Sequence, residues 1–307
     1  MSGPEDSAAK MSDMEKKELR DLVIPVVEGI PLPILRSTTG WEKHIADLRK
    51  MELQDDDILL CSYPKTGTHW LWEVTSMLLQ GKAEYDPRRK EQLMMEFVDV
   101  DEMAAMQSPR ILNSHLPFSM LPWEQIRDKR IKVFHIYRNP KDTVVSFFHM
   151  SKGIALRQKV PRPLEFAEYF ENFINGRGAY GKYFAYLQQF HKFTQENPDV
   201  PVFNLSFEDM KKNPLERVKR IAEFLSVSIA DEVCEEIVEA CSFQNMKKQA
   251  EKKEVTKGET RRVTDADMYR KGEAGDWKNY LTVAMSERLD NMAKEAMVGL
   301  PYVLQYS

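Results

Sequence analysis

The sequence predicts an α/β protein with a central parallel sheet and helices on both of its sides. Four short apolar segments have the character of buried strands, at residues 57–63, 110–114, 131–137 and 200–206. Segments with helical periodicity lie between and after them, at residues 69–82, 141–153, 163–176, 181–195, 214–227 and 286–298. Strands that alternate with helices are typical of βαβ units, in which the strands are parallel.

The predicted elements fit into a single domain. It is expected to cover residues 21–307, after a polar and charged stretch over residues 1–20 that is predicted to be a flexible tail. Residues 24–34 are rich in proline and are predicted to be extended. The charge-dense run over residues 247–267 is predicted to be a helix end that continues into a surface loop.

Composition argues against several classes of protein. The formal charge of −4 disfavours nucleic-acid binding, and no apolar run is long enough to span a bilayer. No secretory signal is evident, and the odd set of three cysteines is too sparse for a disulfide framework. A cytoplasmic protein is therefore expected. No spacing of histidines or cysteines indicates a metal site, so no metal is expected.

The loop SYPKTGTHW, residues 62–70, joins the first predicted strand to a helix. Gly67 permits a tight turn, and backbone N–H groups at the helix start would point at an anion. Lys65 adds a mobile positive charge, while Thr66 and Thr68 add hydroxyl donors. The loop is not a Walker A sequence, which would hold a triphosphate with magnesium, so a smaller anion is expected. An ordinary capped helix after a proline turn is the alternative.

Two further groups of residues could bind a second anion. Arg138 follows the third predicted strand, and Ser146 lies in the helix behind it. Near the C-terminus, Arg270, Lys271 and Gly272 offer two charges and a backbone N–H. Taken singly, each group is explained as well by a surface ion pair, by packing or by a solvated turn. Their combination favours an anion site.

His115 follows the second predicted strand, where a neutral imidazole could take a proton from an acceptor hydroxyl. Lys65, His115 and Arg138 thus each follow a different strand. Ligands of open parallel sheets bind beyond the carboxyl ends of the strands, so we expect these residues to share one site.

Five motifs, in this order and spacing, resemble those of the cytosolic sulfotransferases. They are YPKTGTHW (63–70), SHLP (114–117), RNPKDTVVSFFH (138–149), FEDMKKNP (207–214) and RKGEAGDWK (270–278). The resemblance runs from about residue 25 to the C-terminus. It implies a P-loop-like strand–loop–helix that binds the phosphosulfate of 3′-phosphoadenosine-5′-phosphosulfate (PAPS). It also implies transfer of the sulfuryl group to a hydroxyl or amine of a small acceptor, with 3′,5′-ADP as the product.

The resemblance assigns the donor site residue by residue. The residues that hold the 5′-phosphosulfate are Lys65, Thr66, Gly67, Thr68 and His69. Those that hold the 3′-phosphate are Arg138, Ser146, Arg270, Lys271 and Gly272. The adenine contacts are Trp70 and Phe243, and the donor site also includes Phe207, Cys241 and Met268. In catalysis, His115 matches the general base, Lys65 stabilises the leaving group, and Ser146 restrains Lys65 when no acceptor is bound.

The sequence departs from the common pattern of these enzymes at three positions. Asn113 stands where many members have a lysine, and it can donate a hydrogen bond but carries no charge. Phe207 stands where a tyrosine is frequent, and His69 replaces the usual threonine or asparagine. If His69 protonates, donor affinity should depend on pH below neutrality.

The acceptor pocket and the oligomeric state are less defined by the sequence. Predicted pocket residues are Asn113, Phe148, His149 and Met150, and the variable loops near residues 85–106, 149–162 and 247–268 suggest an apolar pocket. Phenols, steroid or other alcohols and amines all remain open as acceptors. The segment KNYLTVAMSE matches a dimer motif through Lys278, Thr282, Val283 and Glu287, which predicts a homodimer.

Two other functions compete with sulfuryl transfer. One is a magnesium-dependent P-loop nucleotide kinase, which the missing Walker A sequence disfavours. The other is a non-catalytic nucleotide-binding homologue, which the presence of Lys65, His115, Arg138 and Ser146 disfavours.

Overall fold

A computed structural model of the chain describes residues 24–33, 40–157, 164–255 and 269–306. The predicted tail over residues 1–20 lies outside these ranges. A short hairpin pairs β1 (Val26–Val27) with β2 (Ile30–Pro31), as befits the predicted extended segment. The main sheet has four strands, namely β3 (Ile58–Ser62), β4 (Ile111–Ser114), β5 (Lys132–Tyr137) and β6 (Val202–Ser206). Their order is β4-β3-β5-β6 and every neighbouring pair is parallel, which confirms the predicted α/β class.

Helices connect and flank these strands. In the first half they are α1 (Gly40–Lys50), α2 (Thr68–Gln80), α3 (Val100–Ala104), α4 (Trp123–Asp128) and α5 (Pro140–Arg157). In the second half they are α6 (Phe166–Asn175), α7 (Tyr183–Glu196), α8 (Phe207–Lys212), α9 (Pro214–Leu225), α10 (Asp231–Ala240), α11 (Phe243–Val255) and α12 (Val283–Ala296). Short 3₁₀ turns lie at Lys90–Leu93, Phe118–Met120 and Asp276–Asn279. No helix in the described part of the chain is long and apolar enough to cross a membrane.

The sheet divides the apolar core into two parts. Alternate residues of β3 point to opposite faces, with Leu59 and Cys61 in one cluster and Ile58 and Leu60 in the other. The first face is covered by α1, α5, α6, α7 and α12, and the second by α2, α9 and α10. Burial on both faces explains why the strands are continuous apolar runs rather than alternating ones.

The topology places a crevice between β3 and β5. From β3 the chain moves outward to β4 and then returns past β3 to β5, so the winding of the sheet reverses between these two strands. The helices after β3 and β5 also leave to opposite faces of the sheet. Such a reversal leaves an open crevice at the carboxyl ends of the two strands, where ligands bind. Residues 63–67 and 138–139 therefore lie at its edge.

The elements predicted from the sequence are present, with ends shifted by up to about four residues. The prediction missed α1, α3, α4, α8 and α10. The apolar signal of α1 is present in the sequence, since Trp41, Ile45 and Leu48 recur on one helical face and are buried.

Candidate active site

A cavity of about 610 Å³ opens at the carboxyl ends of the central strands. Most of the predicted donor-site and catalytic residues line it, namely Lys65, Gly67, Thr68, His69, Trp70, His115, Arg138, Ser146, Phe207, Cys241, Phe243, Arg270, Lys271 and Gly272. Thr66 is buried beneath the loop, and Met268 lies outside the described residues. The fold therefore brings six separate segments of the chain to one cavity.

The loop after β3 needs glycine at one position. Gly67 has a φ of 117°, in the left-handed region, and directly precedes α2. A Cβ atom added there would lie 2.8 Å from the Phe207 ring and 2.9 Å from the Ile136 side chain. Any larger residue would push the loop out of its place at the N-terminus of α2. The loop can therefore present backbone N–H groups to an anion only in this compact form.

The two loop threonines do not have the same role. The Thr66 hydroxyl donates to the Tyr63 carbonyl oxygen at 2.8 Å and lies 3.1 Å from the Ile136 carbonyl oxygen. It is thus committed to holding the loop, and the expectation that it donates to the bound anion is not supported. The Thr68 hydroxyl lines the cavity and is 2.6 Å from the Ser62 hydroxyl.

His115 is held in one tautomer by the backbone. Its Nδ1 lies 2.7 Å from the Ser62 carbonyl oxygen and 3.2 Å from the Ser62 hydroxyl. A carbonyl oxygen can only accept, so Nδ1 carries the proton and the lone pair is on Nε2. The Tyr180 ring packs edge-on against the imidazole, with centroids 5.5 Å apart. Burial, and then the charge of Lys90, lower the pKa of His115 to about 3, which keeps the ring neutral.

The buried carboxyl group of Glu96 binds the backbone of His115. The His115 backbone N–H donates to Glu96 Oε1, and Glu96 is fully buried. The second oxygen, Oε2, has no hydrogen-bond partner among the described residues. Burial raises the pKa of Glu96 to about 7, against the opposing effects of the His115 N–H and Lys90.

His69 is engaged by an acidic residue that the sequence analysis did not single out. Its Nε2–H donates to Glu91 Oε1 at 2.8 Å. Burial, followed by the charge of Lys90, lowers the pKa of His69 to about 4, and the Glu91 carboxylate offsets this only in part. The neutral ring therefore has its proton on Nε2. Nδ1 is left with a lone pair, so only a protonated His69 could donate to a bound phosphosulfate.

Arg138 belongs to the predicted second anion site. Its guanidinium packs 4.1 Å above the Phe207 ring and donates to the Glu273 carbonyl oxygen at 2.7 Å. Its Nε is buried and has no hydrogen-bond partner among the described residues. Phe207, which replaces a tyrosine, thus serves as an apolar platform for this guanidinium.

The C-terminal basic residues are gathered by one carboxylate. Asp276 is 2.5 Å from both Arg270 and Lys271. Burial alone would raise the pKa of Asp276, but hydrogen bonds from Lys271, Asn279 and Arg270 outweigh it and hold the pKa at about 2. At Gly272 a Cβ atom would lie only 2.1 Å from the Phe243 ring, so glycine lets the ring approach the backbone.

The rest of the cavity is mainly apolar. Its wall includes Met94, Phe97, Phe147, Met150, Ile154 and Tyr180. Of the four predicted acceptor residues, Met150 is on this wall. Phe148 packs against Phe166 and Tyr169 instead, and neither it nor His149 is among the described residues that line the cavity.

Asn113 is fully buried and is also not among the described lining residues, which corrects its predicted place. Its Nδ2 donates to the backbone carbonyl oxygens of Lys90 and Leu93, at 2.8 and 2.9 Å. Its Oδ1 accepts from the Lys90 ammonium at 2.9 Å. Lys90 does line the cavity, so the structure places a cation here that the sequence analysis missed.

The predicted dimer motif is on the surface. Lys278, Thr282, Val283 and Glu287 are all exposed, and 75% of the Val283 surface is accessible. The Thr282 hydroxyl also caps α12, where it accepts from the Met285 N–H at 3.3 Å. In the described part of the chain no group of three His, Cys, Asp or Glu side chains could hold a metal ion.

Comparisons with known proteins agree with this architecture. A family model described as a sulfotransferase domain matches residues 55–301. Sulfotransferase 1C2 of Oryctolagus cuniculus is 34% identical over 290 residues, which cover 89% of this chain and 92% of that protein. Sulfotransferase 1A1 of Mus musculus is 33% identical over 300 residues, which cover 94% and 98%.

Solved structures show the same fold. The crystal structure of mouse sulfotransferase SULT7A1 complexed with PAP superimposes with a TM-score of 0.74 at 28% identity, covering 91% of this chain and 96% of that one. A retinol dehydratase in complex with androsterone and the inactive cofactor PAP has a TM-score of 0.70 at 20% identity, covering 87% and 88%, which is a likeness of fold.

Proposed function

Since the chain belongs to the sulfotransferase domain family and is a PAPS-dependent sulfotransferase of small molecules, we propose that His115 and Lys65 carry out the transfer. The acceptor is a hydroxyl or amine of a small apolar molecule. The observation that carries this proposal is the pair of contacts from His115 Nδ1 to Ser62, which leave the Nε2 lone pair as the base. His115 and Lys65 line the same cavity.

The residues present fit a donor with two anionic groups. The loop around Gly67 would hold the phosphosulfate, and Arg138 with Ser146, Arg270, Lys271 and Gly272 would hold the 3′-phosphate. The Nε atoms of Arg138 and Arg270 are buried and have no hydrogen-bond partner among the described residues, which suits them to donate to a phosphate oxygen. The Phe243 ring, held against Gly272, and Trp70 both line the cavity and offer flat surfaces for the adenine.

Bound PAPS supplies the sulfuryl group: a bond forms from the acceptor oxygen to sulfur, and the sulfur–oxygen bond to phosphate breaks, leaving its electron pair on 3′,5′-ADP. His115 Nε2 takes the proton of the acceptor hydroxyl. Lys65 and the loop N–H groups stabilise the negative charge that develops on the leaving side. Ser146 restrains Lys65 when no acceptor is bound.

We propose three further properties with this activity. The catalytic domain covers residues 21–307 as one unit. It forms a homodimer through the exposed segment of Lys278, Thr282, Val283 and Glu287. It works in the cytoplasm, which suits its three buried and unpaired cysteines, Cys61, Cys234 and Cys241.

His115→Ala tests the proposed base. We expect turnover with any acceptor to fall to background while 3′,5′-ADP still binds, because the donor site keeps its anion contacts. Acceptors would be found first in a screen of phenols, alcohols and amines with labelled PAPS. Sustained turnover in His115→Ala would refute the role of the base. His115→Gln is a second test variant, because glutamine keeps part of the volume of the imidazole ring.

The kinase and the non-catalytic homologue can be tested by the ligands that stabilise the protein. A thermal-shift comparison should show stabilisation by 3′,5′-ADP and none of comparable size by ATP with magnesium. The reverse order would favour a kinase. Binding of 3′,5′-ADP without turnover across the whole acceptor screen would favour a non-catalytic homologue.

A further inference from the structure

Lys90 is a buried lysine that lines the active-site cavity. The side chain is 4% exposed, and the residue belongs to a 3₁₀ turn before β4. Its Nζ donates to Asn113 Oδ1 at 2.9 Å and lies 3.9 Å from Met94 Sδ. A positive charge taken out of water is unfavourable unless it is paired, and Lys90 has this amide oxygen and the Glu91 carboxylate, at 3.9 Å, among its partners.

Lys90 is linked to both histidines of the site through its neighbours. On one side, its Nζ is 3.9 Å from Glu91 Oε1, the same oxygen that binds His69 Nε2 at 2.8 Å. On the other side, it is bound to Asn113, two residues before His115 in the chain. In agreement with this placement, the charge of Lys90 is the strongest charge effect on both imidazoles, after burial.

His69 belongs to the loop that would hold the phosphosulfate, and His115 faces the acceptor. A cation whose charge acts on both histidines is close to the region in which the group would be transferred. Asn113 occupies the position at which many cytosolic sulfotransferases have a lysine, and its own amide is directed at backbone carbonyls rather than at the cavity. The charge missing at that position is thus present nearby, on a side chain from a different segment.

We propose that the Lys90 ammonium binds the sulfuryl group of the donor and that Asn113 orients it. This inference rests on the proposed function. It assigns catalytic contact to Lys90 and a positioning role to Asn113, whose three hydrogen bonds fix the turn and the ammonium together.

The test compares donor and product binding in the absence of any acceptor. PAPS and 3′,5′-ADP differ in the sulfuryl group, so a residue that contacts this group should distinguish them. In Lys90→Met we expect PAPS to bind about tenfold more weakly, or weaker still, as for the loss of one charged hydrogen bond. The affinity for 3′,5′-ADP should stay within about twofold, and kcat should fall.

A second variant places the positive charge at position 113, on β4, instead of at position 90. In the double variant Lys90→Met with Asn113→Lys, we expect the preference for PAPS over 3′,5′-ADP to be restored at least in part. Lys90→Arg, which keeps the charge, covers the case in which the methionine variant fails to fold. Lys141→Met is the matched control, because Lys141 is equally buried at 4% but binds Ser286 and Asp290 of α12 and is not among the described residues that line the cavity.

A further readout is independent of the donor. Nuclear magnetic resonance titration of His115 should show a higher pKa in Lys90→Met than in the wild type, because a nearby positive charge is removed. The inference is overturned if Lys90→Met weakens PAPS and 3′,5′-ADP equally and leaves the titration of His115 unchanged, as a merely structural lysine would. Failure of the wild type to turn over any acceptor would instead refute the proposed function, since the binding comparison needs no turnover.

Discussion

Replacement of Glu96 by glutamine should change how the free energy of unfolding depends on pH. Relative to the wild type, the variant should become more stable as the pH rises. Glu96 is fully buried behind His115, and burial raises the pKa of its carboxyl group from 4.5 to about 7. The folded state therefore binds a proton more tightly than the unfolded state. The stabilisation from this proton is complete below about pH 4.5 and is lost as the pH rises through about 7.

The size of the effect follows from the two pKa values. At about 1.4 kcal/mol for each pH unit, the interval from 4.5 to about 7 corresponds to roughly 3 kcal/mol of unfolding free energy. Between about pH 5 and about pH 8 the change is somewhat smaller, roughly 2.5 kcal/mol, because part of the loss lies below that range. Glutamine imitates the protonated acid, keeps an oxygen to accept the His115 N–H, and does not titrate.

The assay is urea unfolding of wild type and Glu96→Gln at both pH values. The variant should gain roughly 2.5 kcal/mol over the wild type as the pH rises from about 5 to about 8. All other titrating groups cancel in this difference. Glu102→Gln, on an exposed site of α3, controls for the chemistry of the replacement. A difference between Glu96→Gln and wild type that stays constant with pH would show that Glu96 is ionised in the folded protein, and the reasoning from burial would fail.

Three further outcomes are expected. Lys65→Ala should lower kcat by about 10²–10³-fold but weaken 3′,5′-ADP binding much less, because its charge acts where negative charge develops; equal losses in stopped-flow turnover and in calorimetric binding would contradict this. Because the pKa of His69 is lowered to about 4, the donor affinities of wild type and His69→Thr should change with pH in the same way from about pH 6 to about pH 8. A donor affinity of the wild type that increases relative to that of His69→Thr as the pH falls would instead support protonation of His69 on donor binding. Val283→Asp should convert a dimer to a monomer in analytical ultracentrifugation, whereas Val298→Asp, at an equally exposed valine, should not; an unchanged dimer would rule out an interface centred on Val283.

The sequence predicted that Lys65, Gly67 and Arg138 line one cavity because that information is local. Lys65, Gly67 and Arg138 lie within a few residues of a strand end, in loops whose turn chemistry is readable from the chain itself. Once the strands are known to be parallel, their carboxyl ends must meet at one edge, so the shared cavity follows. The motif spacing adds the order in which these loops occur.

Other features required packing between distant segments. The hydroxyl of Thr66 is directed at the backbone, where the Tyr63 carbonyl oxygen accepts from it and the Ile136 carbonyl oxygen of a neighbouring strand is also in contact, and this second contact is not visible in any local pattern. The apolar wall of the cavity also differs from expectation: Met150 faces it, whereas its neighbour Phe148 packs inward against α6. Which side of a helix faces a cavity depends on how the helix is rotated in the fold.

The sequence by itself determined the α/β class, the family and the loops that line the cavity, because strand periodicity, turn residues and motifs act over short stretches of chain. Only the tertiary structure decided the electrostatics around His115. Lys90, Glu91 and Glu96 come from one segment before β4, and their effect on the two histidines depends on burial and on distances of a few ångströms. Burial strengthens charge interactions and shifts pKa values, and it is a property of the folded molecule rather than of any residue in the chain.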